Sequence, residues 1–121
     1  MTIAYWIVAS LLALFFLYSG SIKLLRTKDQ LRPMMAWVDT VPVPVIRTIG
    51  ALEVAGGLGV VLPPLTGIAP HLAVAAAIGL ALVQVGGTVL HLRRGEARVL
   101  GLNAALLAAA VATALLAATL R

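Results

Sequence analysis

The segment that decides the fold is an apolar run with a single acid near its centre, Ile49-Gly50-Ala51-Leu52-Glu53-Val54-Ala55-Gly56-Gly57-Leu58-Gly59-Val60-Val61-Leu62. Such a run is typical of a membrane-spanning helix, since about 20 apolar residues cross the hydrocarbon core of a bilayer. A carboxyl group at that depth is costly and marks a functional site by default. Glu53 is therefore the first candidate for a functional residue.

The composition of the whole chain predicts an integral membrane protein. Of its 121 residues 62% are hydrophobic and only 11% are charged, and its mean hydropathy is +1.09. A soluble domain is about half apolar and about a quarter charged, so this class is excluded. We expect one transmembrane domain over residues 1–121. The chain has no cysteine, which excludes disulfides, thiolate catalysis and Cys-ligated metals.

Four apolar segments predict an all-α, multi-pass bundle. Strand-like alternation is absent, and only helices or closed barrels satisfy their backbone in lipid. The predicted spans are residues 3–21, 45–62, 72–90 and 99–120. Prolines lie in the first two connections, and Pro63 and Pro64 predict a turn after the second span. Residues 93–96, Arg-Arg-Gly-Glu, predict a short basic turn between the last two spans. The first run is too long for a signal-peptide core, so we expect a retained helix.

The positions of the basic residues predict the orientation. Short loops rich in Lys and Arg stay in the cytoplasm, and the second connection has no basic residue. The cations flank the first and third connections: Lys23, Arg26, Lys28, Arg32, Arg47, Arg93, Arg94 and Arg98. Both termini should therefore lie outside, with Tyr5 and Trp6 as aromatic anchors at the outer interface. The expected location is the cell membrane.

The connection between the first two spans contains a short amphipathic cytoplasmic segment. Apolar residues recur at helical spacing over residues 28–38, with Trp37 beside them: Leu31, Met34, Met35 and Val38. Two interpretations are open. The segment is a cytoplasmic interface helix that covers or gates the bundle, or it is a passive connector that lies on lipid headgroups.

The polar intramembrane residues predict one shared site in the cytoplasmic half. From the helix rise, Glu53 and Gln84 lie at similar depths, roughly 13 Å from the cytoplasmic side. Side chains of antiparallel helices lean towards each other there. The predicted ligand-binding residues are Glu53, Tyr18, Gln84, Thr88, His91 and Asn103.

Four of these residues also have a structural interpretation. Glu53 is the candidate general acid or base, or a structural carboxyl bonded to Tyr18, Gln84 or Arg47. His91 gates protons or binds a headgroup, or caps the third helix. The amides of Gln84 and Asn103 are interhelical hydrogen-bond partners or ligand contacts.

Small residues give the second span two distinct faces. The residues Ala51, Ala55 and Gly59 form a small-xxx-small ridge for helix packing. Glu53 shares the opposite face with Gly50 and Gly57. The space beside the carboxyl is a free pocket or is filled by a tight glycine contact with another helix.

Several sequence motifs for phosphate binding, nucleophilic catalysis and metal ligation are absent. The sequence contains no Gly-rich phosphate loop, no Ser/His/Asp constellation and no paired metal-ligand cluster. We therefore expect no metal, no cofactor and no nucleic acid. The basic loops are interpreted as topology signals and contacts to anionic lipids.

Three segments, in this order along the chain, resemble the DoxX-like family of small four-helix membrane proteins. They are Gly20-Ser21-Ile22-Lys23-Leu24, then residues 50–59 closed by Leu62-Pro63, then His91 with Arg94-Gly95-Glu96 and Asn103. The resemblance implies a four-helix bundle. Some relatives are associated with membrane redox systems, including quinone-linked sulfur oxidation and oxidant defence.

Three functions follow as hypotheses. The first is an accessory membrane subunit that binds a quinone-like or other lipophilic molecule near Glu53 and docks a cytoplasmic redox protein. The second is a membrane-embedded isomerase, cyclase or epoxide-opening enzyme that uses Glu53 on a hydrophobic substrate. The third is a structural component of the bilayer, including a homo-oligomer.

Overall fold

The computed structural model describes residues 2–69, 71–96 and 100–119, and the residues in these ranges form helices joined by short connections. The helices are α1 (Thr2–Leu25), α2 (Lys28–Leu31), a 3-10 helix (Ala36–Thr40), α3 (Val43–Thr66), α4 (Leu72–Arg93) and α5 (Leu100–Ala117). Helices α1, α3, α4 and α5 are long and apolar enough to cross a membrane. The predicted all-α fold with four spans is confirmed. Residues 99 and 120, the predicted ends of the last span, lie outside the described residues.

The four long helices form a closed ring of neighbours. Helix α1 packs against α3 and α5, and α4 packs against the same two helices. The connections α1–α3 and α4–α5 meet at one end, where Arg94 Nη1 lies 3.4 Å from Thr40 Oγ1. We call this the loop end. Which side of the membrane it faces stays a prediction.

Helix α3 extends beyond its predicted end because a side chain of α1 compensates for a proline. It continues through Pro63 and Pro64 and ends at Gly67, whose φ is 73°. Pro64 has no N–H to donate to the carbonyl four residues earlier, that of Val60. The Tyr5 hydroxyl donates to this carbonyl. Tyr5 is fully buried, so its predicted place as an interface anchor is wrong.

The connection between α1 and α3 covers the loop end. Residues 28–40, the cap segment, form α2 and the 3-10 helix, not the single helix that their spacing suggests. Leu31, Trp37 and Val38 pack against Ile22 of α1 and Ile46 of α3. The covering interpretation therefore fits this segment better than that of a passive connector.

The outer face of the cap segment carries its own ion pairs. Arg32 Nε lies 2.6 Å from Asp39 Oδ1, and Arg32 Nη1 lies 2.7 Å from Asp29 Oδ1. The hydrogen bond with Asp39 and, to a smaller extent, that with Asp29 raise the pKa of Arg32 above its ordinary value. At its start, the Thr27 hydroxyl and the Gln30 side chain each accept a hydrogen bond from the other residue's backbone N–H, which is a capping box.

Candidate functional site

Glu53 lies in the interface between α1 and α3, paired with a cation. Its side chain is 2% exposed. Lys23 Nζ donates to Glu53 Oε1. The hydroxyl of Ser19 donates to Glu53 Oε2 at 3.2 Å and accepts from Lys23 Nζ at 2.7 Å. The three side chains form a closed buried network in which both carboxylate oxygens have a partner.

Lys23 points into the bundle although it lies in the last turn of α1. Helical side chains lean towards the N-terminus of their own helix, and this direction carries Lys23 Nζ back to Ser19, one turn earlier. Only 6% of the residue is exposed. The Trp37 ring covers the ammonium from the loop end, with its centroid 5.8 Å from Nζ.

A second cation fixes the end of α1. Arg47 Nη1, on α3, donates to the backbone carbonyl of Lys23 and, at 2.6 Å, to that of Arg26. The last carbonyls of a helix have no partner within the helix and carry its negative dipole end. Arg47 therefore caps α1 from the neighbouring helix and is not a partner of Glu53.

The space beside Glu53 is filled by a tight glycine contact between α1 and α3. A Cβ on Gly20 would lie 2.6 Å from the Gly50 carbonyl oxygen, and one on Gly50 would lie 2.8 Å from the Gly20 oxygen. A Cβ on Gly57 would lie 3.1 Å from Leu17. Of the two arrangements that the sequence leaves open, this is the glycine contact and not the free pocket.

Gln84 and Asn103 contribute unsatisfied polar atoms to the interior. Gln84 lies on α4 and is 7% exposed, and Asn103 lies on α5 and is 8% exposed. Gln84 Oε1 and Asn103 Nδ2 are buried, and neither has a hydrogen-bond partner among the residues that the structure describes. A buried unsatisfied group costs about 1–3 kcal/mol, so both atoms are candidates for a hydrogen bond with a ligand.

The remaining predicted residues lie around this interior. Thr88 Oγ1 donates to the backbone carbonyl of Gln84 at 2.8 Å. His91 Nδ1 lies 3.0 Å from Glu96 Oε1, and Arg94 Nε donates to the same oxygen at 2.9 Å. The hydrogen bond with His91, then those with Arg94, lower the pKa of Glu96. His91 thus lies in a loop-end cluster with Glu96 and Arg94.

Tyr18 lies apart from the other predicted residues. It is 55% exposed, while the adjacent residue Ser19 contacts Glu53. The expected bond between Tyr18 and Glu53 is therefore replaced by that of Ser19. A ligand-binding role for Tyr18 stays a prediction.

From the sequence, Lys23 is interpreted as a topology signal and Trp37 as part of the amphipathic segment. Their contacts in the interior are not predicted. One signal was available: Ser19 and Lys23 are four residues apart and share a helix face. A second was chemical, because a buried carboxylate needs a cation or hydrogen bonds to be tolerated.

An apolar groove of about 630 Å³ runs between α3 and α4. Its buried residues are Gly56 and Leu80, which lie about one helical turn from Glu53 and Gln84 respectively. It is lined by Leu52, Ala55, Gly56, Ala75, Ala76, Gly79, Leu80, Leu82 and Val83. Ala55 of the predicted small-residue ridge lies in this groove, and a Cβ on Gly59 would lie 2.6 Å from Ala76 Cβ. The ridge therefore faces α4.

The described residues contain no group of three His, Asp or Glu side chains placed to hold a metal ion. What the interior offers to a ligand is therefore hydrogen bonding, from one amide oxygen and one amide nitrogen.

Comparison with known proteins places the chain in a family. No curated protein and no solved structure matches it significantly. Residues 7–113 match the model of the DoxX-like family, and this match covers most of the chain, with all of α3 and α4 and most of α1 and α5. The chain belongs to the DoxX-like family.

Proposed function

We propose that this membrane protein binds a lipophilic molecule with a polar, quinone-like headgroup in the loop-end half of its bundle. The observation that carries the proposal is the pair of buried, unsatisfied atoms Gln84 Oε1 and Asn103 Nδ2. One is an acceptor and the other a donor. A quinone carbonyl accepts a hydrogen bond from Asn103, and a quinol hydroxyl donates one to Gln84.

The groove between α3 and α4 supports a lipophilic ligand. It is lined by apolar and small residues in the middle of two membrane-length helices. Its buried part at Leu80 lies one turn from Gln84. A hydrocarbon tail in the groove and a headgroup at Gln84 fit one molecule.

Glu53 has a supporting role in this proposal. Its oxygens are engaged by Lys23 and Ser19, so it orders α1 and α3 beside the ligand. A general acid or base must be within hydrogen-bond reach of its substrate, which makes catalysis by Glu53 the weaker alternative. Thr88 and His91 would form the rim of the site on α4.

A cytoplasmic redox partner is part of the proposal, motivated by the family's association with membrane redox systems and oxidant defence. Among the described residues, all four acids lie in ion pairs with cations of the same chain. Arg26, Lys28 and Arg93 form no ion pair with these acids. An acidic surface of a partner protein would dock on these cations at the loop end.

A structural role is the second candidate, and the contact of Gly20 with Gly50 beside the Lys23–Glu53 pair favours it. In that case the polar interior only organises helix packing, alone or in a homo-oligomer. Binding measurements separate the two candidates, because a structural component has no reason to bind a quinone with a defined stoichiometry.

The test is titration of the detergent-solubilised protein with decylubiquinone by calorimetry. We expect saturable binding that weakens about tenfold in Asn103→Leu, since the quinone carbonyl loses one buried hydrogen bond worth about 1.4 kcal/mol. Gln84→Met should weaken the binding of the reduced form, decylubiquinol, by the same factor, because only the quinol has a hydroxyl that can donate to Gln84 Oε1. Thr113→Val is the matched control, because Thr113 is buried on α5 and bonds only its own helix at Ala109. The proposal is wrong if the wild type binds no decylubiquinone, or if both variants bind as the control does.

A further inference from the structure

We propose that the cap segment, residues 28–40, is a gate that controls the access of water from the loop end to the buried Lys23–Glu53 pair. The function of such a gate rests on the binding site proposed above, because it would regulate that site. Its opening and closing do not depend on any ligand. The inference comes from how the segment is held and from what it covers.

Trp37 is the part of the gate that covers the site. Its ring lies over Lys23 Nζ at 5.8 Å, and Lys23 Nζ in turn contacts Glu53 and Ser19. Both Trp37 and Lys23 are more than nine-tenths buried. Removing the indole would therefore open the ammonium, and the carboxylate behind it, to the loop end.

The segment can move as a unit, because its opening would break few backbone hydrogen bonds. The 3-10 helix is closed by the bonds Val38 N–H to Met35 O at 3.1 Å and Val41 N–H to Val38 O at 3.3 Å. Bonds of this kind are poorer than those of an α-helix. The segment is attached mainly by the side chains of Leu31 and Val38, which pack against Ile22 and Ile46.

A polar latch joins the segment to the end of α4. Thr40 Oγ1 donates to the Trp37 carbonyl at 2.9 Å, and Arg94 Nη1 approaches Thr40 Oγ1 at 3.4 Å. Arg94 is held in place by Glu96 at 2.9 Å. A path of direct contacts thus runs from the α4–α5 connection to the backbone of Trp37.

Two other cations near the gate are already engaged. Arg32 binds Asp29 and Asp39 on the outer face of the segment. Arg47 of α3 binds backbone carbonyls at the end of α1. Among the described residues, Arg94 is the charged side chain that contacts the gate from the end of α4, and its loss should favour the open state.

The experiment uses Trp37 as its own reporter. The chain has two tryptophans, so Trp6→Phe leaves Trp37 alone, and acrylamide quenching in lipid nanodiscs then measures its exposure. We expect weak quenching in this parent. Arg94→Gln and, separately, Thr40→Val should each raise the quenching constant about twofold, since the latch then no longer opposes local opening of the segment.

Arg93→Gln is the matched control, because it removes the neighbouring positive charge without touching the latch, and its quenching should equal that of the parent. Circular dichroism and elution volume identify any variant that loses the fold, and the other latch variant then decides. Quenching in a folded latch variant equal to that of the parent, or strong quenching in the parent itself, overturns the gate.

Decylubiquinone titration of the same variants separates this inference from the proposed function. If quenching rises in the latch variants while the wild type binds no quinone, the gate stands and the proposed function fails. If the wild type binds quinone while the latch variants leave quenching unchanged, the gate fails and the proposed function stands.

Discussion

The bundle has a tightly packed half, α1 with α3, and a more open half, α4 with α5. A Cβ on Gly20, Gly50 or Gly57 would crowd a neighbouring helix. The glycines of α4 and α5 have open space at the same position, with nothing within 4 Å: Gly79, Gly86, Gly87 and Gly101. Glycine therefore serves close approach between helices in the first half, whereas the glycines of the second half lie on its exposed or half-exposed surface.

The polar residues follow the same division. In the tight half, Lys23, Ser19 and Glu53 satisfy one another. In the open half, Gln84 Oε1 and Asn103 Nδ2 have no partner among the described residues. Closely packed cores resist rearrangement, so the first half is suited to be a scaffold. The second half has the free hydrogen-bonding atoms that a ligand requires.

The comparison is tested most severely by removing the cation of the tight half. Lys23→Met leaves the carboxyl of Glu53 buried without its partner, and we expect a loss of about 3–5 kcal/mol in the free energy of unfolding. Reversible unfolding in mixed micelles measures it.

The double variant Lys23→Met with Glu53→Met is the control for that loss. Replacing both members of a buried ion pair by apolar residues is often neutral or stabilising, so we expect a stability within about 1 kcal/mol of the wild type. A single variant as stable as the wild type would show that the tight half does not depend on the pair.

The packing difference between the halves predicts opposite effects of one substitution. In Gly50→Ala the new methyl group would lie 2.8 Å from the Gly20 oxygen and 2.9 Å from Lys23 Cβ, and such overpacking costs about 1–3 kcal/mol. In Gly86→Ala the new methyl group meets open space. The free energy of unfolding should therefore rise by up to about 1 kcal/mol, because alanine has a higher helix propensity than glycine. Equal effects of the two changes on unfolding would remove the distinction between the halves.

Much of the fold could be predicted from the sequence, because in lipid the length of an apolar run almost dictates a helix. The end of α3 could not, since prolines normally stop a helix and only the distant Tyr5 hydroxyl compensates for Pro64. Tertiary contacts of this kind leave no local pattern.

The inner face of the site could be predicted only in part. Glu53 and Gln84 are buried in the interior as expected, but a rotation of one residue separates exposed Tyr18 from buried Ser19. Lysines at the end of an apolar span usually snorkel outwards, so no local pattern predicts that Lys23 points inwards. Its inward direction follows from the partner that Glu53 provides, which belongs to another helix.

The connections of the two halves meet at the loop end, and there we expect a dependence on pH. The pKa of Glu96 is lowered by its hydrogen bond with His91 and by Arg94. A carboxyl with a depressed folded-state pKa stabilises the fold above its unfolded pKa, and this contribution is lost as the pH falls through the folded value. Quenching of Trp37 in the Trp6→Phe parent should therefore be constant near neutral pH and rise in acid, as the pH falls below the ordinary pKa of a glutamic acid and through the lowered pKa of Glu96.

Glu96→Gln should abolish this rise and show the stronger quenching already at neutral pH, because its amide cannot hold Arg94 as a carboxylate does. Asp29→Asn is the matched control, since Asp29 pairs with Arg32 on the outer face of the cap segment, away from Arg94. The opposite result would be a rise that persists in Glu96→Gln and disappears in Asp29→Asn. The contact that holds the cap segment closed would then lie on the outer face of this segment and not at the end of α4.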